Sequence, residues 1–401
     1  MKLRKEKLVI LAPLIVLLVT MVFSLTLIPS VHPTPKNLPI AIVNEDQGVE
    51  LPGQGKINVG ADIVLQIKNS QQAEESAVKW IEVKNEKNVR EELNERKYYA
   101  ALIIPKNFSR KQSSFLTAHP AGAEVKVLIN QGANTMAANT AGQMLNQIVE
   151  NINQRVREDT LAALEKQGAA LNVQQAGALA SPISKKTENV NETGAYSSNG
   201  NAPVSLVQPL WMASIAGALL MFTAVRKIQV SNRTEALLSS RLLQVLIGAV
   251  LAFTAGYGLV WIASEWVGMN IPQFHDTALF ITVCYFCFYL MVAAVTAWVG
   301  FSGAGMFGLL FFFGTPLLTM APELMPALYR DWLYSWLPMR FASEGLRDLL
   351  FFDKGLSMNQ PVTVLLSIAS VSFLVLLASV LKRRNLSKKA GERISYEGGA
   401  R

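Results

Sequence analysis

Residues 226 to 241 read Arg226-Lys-Ile-Gln-Val-Ser-Asn-Arg-Thr-Glu-Ala-Leu-Leu-Ser-Ser-Arg241. They separate the apolar runs Val204–Val225 and Leu242–Ala263, each long enough to cross a bilayer. Arg226, Lys227, Arg233 and Arg241 stand against a single acid, Glu235. A short basic loop between two spans is held on the cytoplasmic side. This stretch therefore predicts the orientation of everything around it.

Composition agrees with a membrane class. Of 401 residues, 51% are hydrophobic and only 16% charged, few for a soluble protein of this size. The net charge of +8 is concentrated in three places: residues 1–7, the loop above, and the tail from Lys382. The rest of the chain is slightly acidic. The basicity thus marks topology, not a nucleic-acid-binding face, and no nucleic-acid partner is expected. The two cysteines, Cys284 and Cys287, both fall in an apolar run and exclude a disulfide framework.

Leu8–Ile28 is an apolar run behind a basic start. Its length and the lack of an Ala-x-Ala-like site favour an uncleaved anchor over a cleaved signal peptide. Pro33, Pro35 and Pro39 make a stiff exit. From Leu38 to about Gln167 strand and helix signals alternate. Strands are expected at Pro39–Val43, Val78–Val83, Tyr98–Ile104 and Glu124–Asn130, and helices at Asn58–Ile67, Asn85–Glu95 and Phe108–Leu116. That pattern predicts an α/β domain over 38–167. It closes on a long helix, Ala133–Lys166, with Met136, Thr140, Met144, Gln147 and Ile148 along one side. Residues 168–203 read as a linker; Ser181–Pro203 is polar, without apolar period, and of a composition that suits disorder.

The second half, 204–381, is membrane. Spans are expected at Val204–Val225, Leu242–Ala263, Thr277–Val299, Gly303–Ala321 and Pro361–Leu381. With residues 1–28 as cytosolic start and first helix, the fold class is an α-helical bundle of six transmembrane helices with an extracytoplasmic α/β domain between the first and second. The loop 226–241 and the basic tail 382–401 then fall inside. Ser264–Asp276, with Glu265 and Asp276 and no Lys or Arg, falls outside. Both termini are expected in the cytosol of a bacterial cell, with the chain in its cytoplasmic membrane. Residues 322–360 are too polar and proline-broken to span. Leu324, Leu328, Tyr329, Trp332, Leu333 and Trp336 predict a helix at the outer interface. Pro338 ends it, and Phe341–Phe352 forms a second short helix.

Chemical motifs are few. Cys284-x-x-Cys287 has no His or acid beside it, so small-residue packing outweighs redox or metal chemistry. Gly303-Ala-Gly305-Met-Phe-Gly308 spells a dinucleotide fingerprint without the preceding strand; close helix packing is the better account, as for Ala213-x-x-x-Gly217. Gly53-Gln-Gly55-Lys56 lacks the spacing of a phosphate-binding loop. His32, His119 and His275 have no ligand-spaced partner, and no nucleophile motif appears. No metal site and no cofactor in this chain are expected. The apolar middles of the runs carry no Asp, Glu, Lys, Arg or His. Ion-coupled carriers usually keep such groups there, so energy for transport is expected from outside the membrane. Asn232-x-x-Glu235 is a capping pair that would start a short helix at Arg233, bending into the next span. The plainer alternative is that the next span simply starts there.

The layout resembles ABC-2-type transporter permeases. Three outer stretches resemble the YhgE/Pip (phage infection protein) branch in order and spacing: Ile40-Ala-Ile-Val-Asn-Glu-Asp46-Gln-Gly48, Asn58-Val-Gly60-Ala-Asp62 and Arg96-Lys-Tyr-Tyr-Ala-Ala-Leu-Ile-Ile-Pro105-Lys-Asn-Phe-Ser109. Leu337-Pro338 followed by Glu344-Gly345-Leu346-Arg347 resembles the outer-helix segment of such permeases, so Pro338, Glu344, Gly345 and Arg347 are its candidate residues. Long members of the branch carry an extended helical stalk; this chain has room for about one helix. The resemblance implies a permease subunit, not an enzyme, that forms a homo- or heterodimer in the lipid bilayer and pairs with a separate ABC ATPase carrying the ATP. It also implies that Asn232, Arg233, Thr234 and Glu235 form the ATPase-coupling loop. The alternative is a non-transporting surface scaffold or receptor, for phage adsorption or secretion, acting through the outer domain. For Tyr98–Ser109 a structural role outweighs a ligand site: the tyrosines cover the sheet and Ser109 caps a helix.

Overall fold

The computed structural model describes residues 35–51, 55–69, 76–117, 119–166, 172–227 and 234–398, with scattered positions before 35; side chains are described at neither Thr234 nor 382–398. The expected first span, Leu8–Ile28, lies mostly outside the described residues. Contacts divide the chain into two compact units. One takes Pro33–Thr193 with Met320–Pro326; the other takes Gly194–Thr319 and Ala327–Arg401 together with the N-terminal stretch.

The first unit holds every described strand: β1 (Leu38–Asn44), β2 (Val49–Leu51), β3 (Gly55–Ile57), β4 (Val78–Val83), β5 (Ala100–Ile104), β6 (Ala123–Asn130) and β7 (Ile183–Val190). Five of them form one sheet in the order β4-β1-β5-β6-β7. β1 pairs in parallel with β4 and β5, β5 is antiparallel to β6, and β6 is parallel to β7. β5 reads Ala-Ala-Leu-Ile-Ile and is buried throughout, as expected of a central strand covered on both faces. Around the sheet lie α1 (Val59–Asn69), α2 (Glu86–Asn94), α3 (Phe108–Ser113), the 32-residue α4 (Thr135–Lys166) and α5 (Val173–Ala180).

Two sequence expectations change here. The stretch 168–203, read as linker, contains α5 and the whole of β7. Ile183-Ser-Lys-Lys-Thr-Glu-Asn-Val190 buries only Ile183, so it shows no apolar alternation. It is an edge strand, held by eight register pairs with β6; its lysines suit an edge that must refuse further pairing. The buried side of α4 is also rotated from expectation. Ala137, Ala138, Ala141, Leu145 and Val149 are buried, whereas Met136 is 41% exposed. Small side chains let the helix lie close on the sheet: a methyl added at Gly142 would sit 2.9 Å from Ile129.

The second unit is helical: α6 (Ala202–Lys227), α7 (Thr234–Trp261), α8 (Phe274–Val299), α9 (Gly303–Leu318), α10 (Pro338–Phe351) and α11 (Gln360–Gly398). Among the described residues four helices are long and apolar enough to cross a membrane: Ala202–Lys227, Glu235–Trp266, Phe274–Val299 and Gln360–Leu381. The expected span Gly303–Ala321 stops at Leu318. Its 16 residues rise only about 24 Å against a hydrocarbon core of about 30 Å.

α8 is the most buried of the four and packs against α6, α7, α9, α10 and α11. Close approach is made by glycines. A methyl at Gly217 of α6 would lie 2.3 Å from the Tyr285 hydroxyl, and one at Gly248 of α7 2.2 Å from the Tyr289 ring. Without a hydrophobic drive between helices in lipid, such contacts carry the association. Cys284 and Cys287 are both free and buried in this packing. Of the expected packing glycines, Gly303 meets Val295 at 2.9 Å, whereas Gly305 and Gly308 meet no atom within 4 Å.

The expected interfacial helix over 324–336 is broken into short turns at Pro322–Leu324, Tyr329–Leu333 and Tyr334–Trp336. Pro322, Pro326 and Pro338 deny it a continuous hydrogen-bond ladder. Trp332 and Trp336 remain exposed, at 77% and 52%.

Candidate functional site

The stretches that carried the resemblance in the first unit build one buried hub. Asp46 ends the run from β1 and accepts four bonds on its carboxylate: from Gly48 N at 3.3 Å, Gly60 N at 3.2 Å, Ser109 N at 3.0 Å and the Ser109 hydroxyl. Ser109 Oγ in turn accepts from Val59 N at 2.8 Å, and Asn58 Oδ1 accepts from Ala61 N at 2.8 Å. Three of the orphan N–H groups at the start of α1 are thereby satisfied, with a carboxylate at the positive end of the helix. Gly60 is required there. A methyl would fall 2.7 Å from both Asn44 Oδ1 and Asp46 Cβ. These residues therefore act structurally, by seating α1 against α3. Tyr98 donates to Glu92 nearby in the chain at 2.9 Å, and Tyr99 to Glu323, 224 positions further on, at 2.9 Å. Burial first, then the bond to Glu92, pushes the Tyr98 hydroxyl up to about 12.

In the second unit the expected residues lie in two places. Asn232 and Arg233 lie outside the described residues. Thr234 begins α7, which continues without a break to Trp261; the start of the short helix expected at Arg233 lies outside the described residues. Glu235 is exposed in the first turn of α7, and its carbonyl accepts from Ser239 Oγ at 2.8 Å. The same unit holds a cleft of about 360 Å³, lined among others by Phe222, Arg226, Arg241, Thr296, Trp298 and Ser379. It gathers the end of α6, the start of α7, the end of α8 and the middle of α11. In the sequence Arg226 and Arg241 are legible only as topology charges. Nothing in their spacing shows that α6 and α7 bring them to one cavity.

The outer-helix residues sit elsewhere. Pro338 occupies the first position of α10, where it needs no N–H donor. Glu344 accepts from Arg340 Nε at 2.7 Å, and the Arg340 guanidinium lies 4.7 Å over the Tyr334 ring. Burial works to lower the Arg340 pKa, and the Glu344 carboxylate outweighs it, so the net shift is upward. Gly345 lets α10 touch α8: a methyl there would be 2.2 Å from Phe280. Arg347 is 4% exposed. Gln273 and Asp276, at the start of α8, bond Asp353 and the amide of Leu356 at 2.8 Å each.

α8 thus carries both places, one at each end. From Phe280 to Thr296 the helix rises about 24 Å, most of the roughly 30 Å of a hydrocarbon core. The two places thus lie at opposite ends of one buried, membrane-length helix. The chain belongs to the ABC-2 family transporter proteins, whose family model matches residues 8–378. It is also similar to the uncharacterized protein YhgE of Bacillus subtilis (strain 168), at 26% identity over 125 residues, 31% of this chain and 15% of that protein. That likeness agrees with the YhgE/Pip branch. No solved structure matches the chain. Proteins of the ABC-2 family generally work with an ABC ATPase.

Proposed function

We propose that this chain is the permease subunit of an ABC-2-type exporter. It moves a substrate across the bacterial cytoplasmic membrane with energy from a separate ATPase subunit. The observation that carries the reading is the family match over nearly the whole chain. In this reading the four long helices are joined by α9 and the N-terminal apolar run to make six spans. The basic loop 226–241 and both termini face the cytosol, and the α/β unit with α10 stands outside. Two such chains, identical or not, form the path. The ATPase docks on the loop through Asn232, Arg233, Thr234 and Glu235. α7 supports this, because its helical ladder runs unbroken from Thr234 into the span; force at the loop is then transmitted along a rigid rod to α8. α10, held on α8 through Gly345 and Phe280, would respond at the far side.

The test is affinity purification of the tagged full chain from its native membrane, with ATPase activity measured in the eluate. An ABC ATPase subunit in stoichiometric amount is expected. The pair Arg233→Glu with Glu235→Arg should abolish its recovery while the permease stays monodisperse. Full recovery with the charge-reversed chain would sink the docking assignment. Absence of any ATPase from the wild-type eluate, with a bound extracellular partner in its place, would sink the exporter reading.

A further inference from the structure

The cleft between the end of α6 and the first turns of α7 has a chemistry that coupling does not use. Its residues include two arginines and, among the described residues, no Asp or Glu. Arg241 is only 9% exposed, and its Nη1 donates to Gln244 Oε1 at 2.8 Å. Gln244 is itself 1% exposed, and its Nε2 meets no acceptor among the described residues. Arg226 reaches in from the other wall, its guanidinium 5.5 Å over the Phe222 ring. The two hydroxyls of the lining spend their protons on their own helices: Thr296 on Val292 O at 2.8 Å and Ser379 on Leu376 O at 2.6 Å. The cationic donors that line the cleft are therefore guanidinium N–H groups, whose fork matches phosphate oxygens.

The cleft is also amphipathic. Phe222 and Val225 are apolar lining residues, and beside them Trp298 and Val299 are 38% and 64% exposed at the end of a membrane-length helix. Trp298 donates its indole N–H to Val375 O at 2.9 Å, which fixes the ring at that edge. A tryptophan held at a helix end marks the headgroup level of a bilayer. Basic side chains at that level attract anionic lipid.

We propose that this cleft seats the phosphate headgroup of an anionic phospholipid. Arg226 and Arg241 grip the phosphate, and the acyl chains leave past Trp298 and Val299. The lipid ties α6, α7, α8 and α11 together where the loop emerges. This binding stands apart from the exporter reading, because its test reads lipid occupancy and not transport.

The test titrates the full chain, purified in a neutral detergent, with short-chain phosphatidylglycerol, with short-chain phosphatidylcholine and with inorganic phosphate, read by native mass spectrometry. Phosphatidylglycerol is expected to bind, with phosphatidylcholine weaker by roughly tenfold, because its phosphate brings a quaternary ammonium into a cleft lined by two arginines and, among the described residues, no carboxylate. Arg226→Gln, at an exposed position, should keep the fold and weaken phosphatidylglycerol by on the order of tenfold. Arg241→Gln should do the same, with circular dichroism and gel filtration as the check on folding. If millimolar phosphate displaces phosphatidylglycerol, the anion site stands and a free phosphate also fills it; if it does not, the acyl chains contribute and the source is lipid. Equal binding of the two lipids, or phosphatidylglycerol binding unchanged in a folded Arg226→Gln, would overturn the proposal.

Discussion

Replacing Gly248 by alanine should loosen the contact between α7 and α8. The added methyl carbon would lie 2.2 Å from Tyr289 Cε1 and 2.8 Å from both Cδ1 and Cζ. Carbon atoms rest about 3.5–4.0 Å apart, so the ring must retreat by more than about 1 Å. It has little freedom to do so. Tyr289 is fully buried, its hydroxyl donates to Gln244 O at 2.9 Å, and its ring stacks on Tyr285 at 6.3 Å and 12°. Overpacking of this kind costs about 1–3 kcal/mol. Gly258, in the same helix, is the control, since a methyl there meets no atom within 4 Å. Both substitutions gain the same helix propensity, about 0.8–1 kcal/mol outside a bilayer. The difference between them therefore isolates the clash. Unfolding of the purified full chain in mixed micelles, titrated with dodecyl sulfate and followed by circular dichroism, should place Gly248→Ala below Gly258→Ala by about 1–3 kcal/mol. Adding Tyr289→Leu to Gly248→Ala should recover some of the loss, giving a coupling energy of about 0.5–3 kcal/mol. If the two alanine variants unfold together within about 0.5 kcal/mol, α7 does not pack on Tyr289 as described and the reasoning fails.

Other outcomes follow from the same geometry. Gly345→Ala should push α10 off Phe280, seen as faster amide exchange across 338–351 in the full chain, while Phe280→Leu in that background restores protection. Asp46→Ala removes the acceptor of four bonds and should cost about 3 kcal/mol or more, since buried donors are left unpaired; tryptic cleavage at Lys68 is the readout, and unchanged cleavage would contradict the hub. The first unit should lose stability in acid. The bond from Arg90 lowers the Glu188 pKa; burial works to raise that of Glu86, but the bonds from Lys126 and Arg90 outweigh it and the net shift is down. Depressed carboxylates stabilise the fold above their ordinary value of 4.5, and that contribution is lost as pH falls through the lowered folded values. Arg90→Ala should flatten this acid limb in exchange measurements corrected for intrinsic rate; because Arg90, Glu86 and Glu188 are 36%, 26% and 43% exposed, solvent screens the pairs and the change is about 1 kcal/mol or less.

Much of the architecture is legible in the sequence. Apolar runs and basic loops depend on one-dimensional properties, namely length, hydropathy and charge, which the bilayer reads directly. Strands β1 and β5 announce themselves through buried apolar runs between turns, and β4 and β6 through alternation of apolar and polar residues. β7 does not, because an edge strand takes its stability from the backbone ladder of its neighbour and needs no apolar face. The buried side of α4 is misplaced for a related reason: alanine at 137, 138 and 141 carries little hydrophobic signal, yet it sets the distance to the sheet.

The sequence by itself determined that this chain is a membrane protein with an α/β segment, and its outer stretches already pointed to the ABC-2 family. What only the tertiary structure decided is which of those residues meet. Asp46 reaches Gly60 and Ser109, 14 and 63 positions further along the chain, and the three converge on one helix start. Gly248 faces Tyr289, Gly345 faces Phe280, and Arg226 and Arg241 share a cleft with Thr296 and Ser379. These are contacts between elements far apart in sequence, fixed by how helices pack on α8. Hydropathy and charge act on each segment alone, whereas packing depends on which segments become neighbours.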